Sequence, residues 1–224
     1  MLLILRGHIR NSFKDDKLYH LIESIDKHIP NLSIYIHTWN IYANTISWRC
    51  VEKNDSSVSD IDIYNYFKDL KHLIKHIIIE DESNINLIGK TDGLIGNSRS
   101  PLLGWKNYWY GKYQIINYMK EHLDLLSKNE NIINCRFDVL ENSNSITMNT
   151  LLPFILTHHD ITLHKNMFLY DHEHMGIDNI YIGNINTMYT LIRTFFYELD
   201  NILCSYPNIR HPEFLVFRQS ELLD

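Results

Sequence analysis

The chain opens on an apolar run, Met1-Leu2-Leu3-Ile4-Leu5, that passes straight into Arg6-Gly7-His8-Ile9-Arg10-Asn11-Ser12-Phe13 and then into a helical pattern. That order reads as strand, loop, helix. In an open α/β sheet the loop at a strand's carboxyl end faces the binding crevice, and the backbone N–H groups that start the following helix attract anions. Gly7 lets the backbone turn, and His8 and Arg10 supply donors suited to a phosphate. The alternative for Arg10 is a solvated loop cation.

The pattern continues in the same sense. Residues 17–28 carry Leu18, Leu21, Ile22 and Ile25 at helical intervals, and Pro30 stops the run. Leu32-Ser33-Ile34-Tyr35-Ile36 is β-rich and alternates, which predicts a second strand delivering His37-Thr38-Trp39 to the same sheet edge. Asn54-Asp55-Ser56-Ser57 reads as a loop, residues 61–74 as an exposed helix, and residues 76–80 as a third, buried strand. Residues 82–104 form a long connection rich in Asn, Gly and Ser, a kind of loop that is usually functional or mobile. Residues 105–126 give a strong helix pattern through Trp109, Tyr113, Ile116, Met119 and Leu123. A short strand at 131–135 then presents Arg136-Phe137-Asp138, residues 178–183 read as a further strand, and residues 185–202 as a long helix.

The 224 residues, 45% of them hydrophobic, suffice for one sizeable core, and no linker divides them, so a single domain over 1–224 is expected. A net charge of −6 argues against a general nucleic-acid binder, which needs a basic face to displace counterions. Apolar runs such as 151–156 fall short of the roughly 20 residues that span a bilayer, and the first strand lacks the pattern of a signal peptide. A cytoplasmic protein without an integral membrane segment is expected. Cys50, Cys135 and Cys204 are widely spaced and are expected to stay reduced and packed.

Taken in order, several of these segments resemble a family of bacterial and viral surface-polysaccharide glycosyltransferases related to the GT-A type. Gly7-His8-Ile9-Arg10 matches the family's first loop and Ile36-His37-Thr38-Trp39 its His-Thr-Trp strand end. The aromatic helix from Tyr108 onward, followed by Arg136-Phe137-Asp138, matches its Arg-x-Asp strand. Residues 178–183 and His211-Pro212-Glu213 match its later segments. Each motif is short, and their order over nearly the whole chain carries the resemblance.

The resemblance implies a single-domain GT-A-like, Rossmann-like α/β sandwich, with a central mostly parallel sheet flanked by helices. It further implies an enzyme that moves a sugar from a nucleotide-diphosphate sugar to a glycan or lipid-linked glycan acceptor, in surface polysaccharide synthesis. A lipid-linked acceptor would bring peripheral contact with a membrane. The donor is expected at Gly7, His8, Arg10, Thr38, Trp39 and Arg136. In such enzymes an acidic motif at a strand end holds Mn²⁺ or Mg²⁺ against the diphosphate, and Asp138 is the matching metal ligand. Arg136, however, stands where the usual Asp-x-Asp motif has its first carboxylate. A metal-independent reaction in which Arg10 and Arg136 supply the positive charge is therefore the alternative, as is a local ion pair between Arg136 and Asp138.

Asp178 and Glu173 are the two carboxylates considered for general base, with Asp178 favoured because it lies in the matching segment. Glu173 belongs to Asp171-His172-Glu173-His174, which together with His158-His159-Asp160 raises a metal-dependent hydrolase as a distant alternative. These histidines fit structural roles better. A non-catalytic nucleotide- or glycan-binding protein of the same fold is the nearer alternative. Trp39 is expected either to stack on a base or sugar or to plug the sheet edge. Trp105, Tyr108 and Tyr110 are open as a carbohydrate platform, whereas Trp109 and Tyr113 follow core spacing.

Overall fold

In the computed structural model, residues 1–47, 51–123, 130–141, 146–170 and 178–223 are described. β1 (Leu2–Arg6) is buried along its whole length. It lies between β2 (Ser33–Trp39) and β6 (Asn131–Arg136) and is parallel to both. β5 (Ile74–Glu80) extends the parallel set beyond β2. On the other side β8 (Ile180–Asn184) runs antiparallel to β6, and the two-residue β7 (Met167–Phe168) closes the six-stranded sheet in the order β5-β2-β1-β6-β8-β7. The expected mostly parallel central sheet is what the chain forms.

Alternation along β1 divides the core into two layers, because successive strand side chains point to opposite faces. Leu3 and Leu5 pack with α1 (Lys17–His28), α2 (Asp60–Phe67) and α4 (Met148–His158). Leu2 and Ile4 pack with α3 (Leu102–His122), α5 (Ile185–Ser205) and α6 (Glu213–Leu223). The apolar stripe read for α1 is the buried one: Leu18, Leu21, Ile22 and Ile25. Each such side chain contributes about 1.5–3 kcal/mol when fully buried, which is why periodicity alone located α1.

Two local expectations are corrected, and one further helix goes beyond the sequence reading. Residues 54–57, read as a loop, form β4 (Asn54–Ser57), which pairs antiparallel with β3 (Ile41–Ala43) in a small separate ribbon. The pairing of this polar strand owes little to β propensity. The helix read over 61–74 ends at Phe67, where Lys68 takes a left-handed φ of 52°. A 3-10 turn (Lys68–Leu73) then carries the buried Leu70 and Leu73 before β5 begins. The apolar run at 151–156, given no element from the sequence, lies in α4, which starts on a capping box between Thr147 and Thr150. Cys204, expected to pack, is exposed, while Cys135 is buried; Cys50 lies outside the described residues.

α3 approaches the sheet closely at Gly111. A Cβ there would stand 2.6 Å from the His37 ring, which is fully buried and held by Glu80. Gly111→Ala is therefore expected to destabilise the protein by about 1–3 kcal/mol through overpacking, despite a helix-propensity gain of about 1 kcal/mol. Thermal unfolding checks this, and an unchanged Tm would show that helix and sheet separate freely at this point.

Candidate functional site

The carboxyl ends of β1, β2, β5 and β6 all point to one sheet edge, and the start of the antiparallel β8 joins them. The chain leaves β1 toward β2 on one side and later returns to β6 on the other, so this edge is a topological switch point, where open α/β sheets form a crevice. A cleft open to solvent lies there. Gly7, His8, Arg10, Trp39, Arg136 and Asp178 all line it.

The first loop is fixed by backbone. Gly7 has φ +88°, which favours glycine. Its N–H donates to the His37 carbonyl at 3.1 Å, and its own carbonyl accepts from the Thr38 hydroxyl at 3.0 Å. Arg10 also sits at positive φ, +55°, with its N–H on the Tyr42 carbonyl at 2.8 Å. Thr38, expected at the donor, is fully buried, and its hydroxyl holds Gly7 to β2. Its even-numbered position sends it to the α1 face, away from Trp39 on the cleft side.

Trp39 is 3% exposed. It meets the His37 ring edge-on at 5.0 Å and stacks with Tyr110 at 6.3 Å, so it serves as packed cleft wall and plugs the sheet edge. The His37 ring pairs with Glu80, Nε2 to Oε2 at 2.9 Å, and the Tyr110 hydroxyl donates to the other oxygen at 2.9 Å. Burial pushes the Glu80 carboxyl up, but these two partners bring it below its ordinary range.

The charged centre joins β1 to β6. Asp138, 2% exposed, receives Arg10 Nη1 on Oδ2 at 2.6 Å, Arg136 Nε on Oδ1 at 2.7 Å and Arg136 Nη2 on Oδ2 at 2.8 Å. Both carboxylate oxygens are thus held by guanidinium groups, a charge-assisted arrangement. That donor set does not fit Mn²⁺ or Mg²⁺, which take oxygen ligands with free lone pairs and are repelled by adjacent cations. Among the described residues there is no group of three His, Cys, Asp or Glu able to hold a metal ion. His8 is also uncharged: burial first, then Arg10, lowers its pKa to about 3.

Asp178 stands just before β8, with its carbonyl accepting from Arg6 Nη2 at 2.6 Å and from the Tyr108 hydroxyl at 2.8 Å. Its placement near the other site residues depends on β8 pairing with β6. Glu173, the second carboxylate considered for base, and its His172 and His174 neighbours lie outside the described residues. His158 and His159 turn Nδ1 to the Phe154 and Leu156 carbonyls, each at 2.8 Å, as helix-end histidines do.

Sequence reading gave no site role to Arg6 or Glu82, although both line the cleft. Arg6 carried a legible signal, an arginine ending an otherwise apolar strand. Glu82 carried none. Its carboxylate is held by Asn44 at 2.5 Å and Asn107 at 3.2 Å, and burial raises its pKa. Tyr108 and Glu213 also face the cleft, joining α3 and α6 to it.

No described helix is long and apolar enough to cross a membrane. No protein-family model and no curated protein matches the chain. Among solved structures it is similar to an active-site mutant of LgtC, with a TM-score of 0.46 and 9% identity over 97% of this chain and 69% of that one.

Proposed function

We propose that this chain is a GT-A-type glycosyltransferase, moving a sugar from a nucleotide-diphosphate sugar to a glycan or lipid-linked glycan acceptor. The observation that carries the reading is the meeting of Gly7, His8, Arg10, Arg136 and Asp178 around one cleft at the carboxyl edge of the sheet. In this reading the bond from the anomeric carbon to the donor's phosphate oxygen breaks as the acceptor oxygen bonds to that carbon. The electron pair stays on the departing nucleoside diphosphate, where the guanidinium groups of Arg10 and Arg136 stabilise it. His8, neutral, offers one ring N–H without adding charge. Asp178 accepts the acceptor's hydroxyl proton, the role of a general base in an inverting transfer.

Incubation with a panel of radiolabelled nucleotide sugars and glycan acceptors, with Mn²⁺ and separately with EDTA, tests this. Transfer in EDTA is the expected result. Absence of both transfer and donor hydrolysis under every condition supports instead a non-catalytic binder of the same ligands, a reading favoured by the full pairing of Asp138. Asp178→Asn is expected to reduce kcat on the order of a hundredfold or more with the donor's KM nearly unchanged. Its carbonyl clamp is backbone and survives the change. A variant that keeps wild-type kcat removes Asp178 from the role of base.

A further inference from the structure

Arg6 is 1% exposed, yet it lines the cleft. Its Nε donates to Asn134 Oδ1 at 2.6 Å and its Nη2 to the Asp178 carbonyl at 2.6 Å, and its guanidinium lies 4.4 Å from the centroid of the Tyr108 ring. These partners are all neutral. The buried Nη1 has no hydrogen-bond partner among the described residues, and Arg6 makes no ion pair with any described carboxylate. A guanidinium does not lose its proton in a protein, and a buried charge is kept at a cost unless something pairs with it.

The neighbouring carboxylates do not fill this role. Asp138 is bound by Arg10 and Arg136. Glu82 is held by Asn44 and Asn107, with His8 at 3.6 Å. Asp178 turns its backbone carbonyl to Arg6. A buried amine lies close to Arg6. Lys112, fully buried among Tyr108, Trp109 and Tyr181, has its ammonium pushed well below its usual range, by burial and then by Arg6. Lysine can yield its proton here and arginine cannot.

Arg6 is also the lateral neighbour of Arg136 in the parallel register of β1 and β6, so the two side chains leave the sheet on the same face. With Arg10 following in the next loop, three guanidinium groups border the cleft, and of these only Arg10 and Arg136 are bound to Asp138. We propose that Arg6 is a third anion-binding arginine of this cleft, left without a protein counterion so that the site takes up a pyrophosphate group with no divalent cation. This rests on the donor reading above. It adds to it the residue and charge that replace a metal.

The test is titration calorimetry in EDTA with inorganic pyrophosphate, uridine and guanosine diphosphates, and a short isoprenoid diphosphate as separate probes. The nucleotide and isoprenoid arms show whether the group comes from the donor or from a lipid-linked acceptor. Wild-type protein is expected to bind pyrophosphate, and Arg6→Gln to bind it roughly ten- to a hundredfold more weakly, with Arg6→Lys between them. Equal affinity in wild type and Arg6→Gln, or no pyrophosphate binding by wild type, overturns the inference. Should Arg6→Gln not fold, NMR of the arginine side-chain nitrogens in wild-type protein decides. Arg6 resonances must move with added pyrophosphate, and movement confined to Arg10 and Arg136 refutes the assignment. A failed sugar-transfer assay with Arg6-dependent pyrophosphate binding intact sinks the transferase reading alone.

Discussion

Asp138→Asn is expected to destabilise the protein and, at the same time, to tighten its grip on pyrophosphate. In the folded chain the Asp138 carboxylate is almost fully buried and is the shared counterion of Arg10 and Arg136. Removing one partner of a buried ion pair costs about 3–5 kcal/mol, because the remaining charge stays desolvated and unpaired. The amide oxygen of Asn still accepts one bond, which favours the lower end, and a chain of this size loses roughly 2–4 °C of Tm per kcal/mol. The same loss of negative charge leaves two guanidinium groups free for an anion, so the affinity for pyrophosphate in EDTA rises. A metal-ligand role for Asp138 demands the reverse. Calorimetry that finds weaker pyrophosphate binding in the variant, or Mn²⁺-dependent binding in wild type that the variant loses, rejects the counterion role.

The second strong effect is expected from Arg10→Ala, with the opposite balance between stability and activity. Arg10 gives Asp138 one bond at 2.6 Å, whereas Arg136 gives it two. Asp138 therefore remains paired after the truncation. The loop is held by backbone bonds from Gly7 and Arg10 that do not involve the side chain. Sugar transfer is expected to fall by roughly 10²–10³, the loss that follows removal of one well-placed donor to a developing negative charge, while Tm changes by only a few degrees. Parallel melting and initial-rate measurements check both parts. A large fall in Tm with residual activity intact in the folded fraction would make Arg10 a structural residue.

The two predictions differ because of how one carboxylate is shared, and that sharing could not be read along the chain. Arg136 and Asp138 are near neighbours in sequence, and their local pairing was visible as an alternative. Arg10 lies 128 residues from Asp138. It reaches that carboxylate only because β6 pairs with β1 rather than with β5, a choice made by packing of the whole sheet. A metal site at Asp138 was a reasonable expectation from residue type. It does not suit the environment, since two guanidinium groups already occupy its lone pairs. Thr38 shows the same kind of limit. Its position in a strand-end tripeptide indicated binding, but the parity of β2 turns its hydroxyl inward to the Gly7 carbonyl.

Local order was far more legible. The loop after β1, the α1 stripe, the strands ending in Trp39 and Arg136, and the long amphipathic α5 follow from periods of two and three to four residues and from Gly and Pro placement. Those signals act over a few residues and survive any tertiary context that buries one face. The β3–β4 ribbon, the 3-10 turn before β5 and the clamp of Arg6 and Tyr108 on the Asp178 carbonyl arise otherwise. They depend on which distant segments become neighbours. Hydrophobic patterning specifies which faces are buried and leaves open which buried polar groups meet there. The polar makeup of the cleft was consequently settled by folding, where burial makes His8 neutral and leaves Arg6 Nη1 without a hydrogen-bond partner among the described residues.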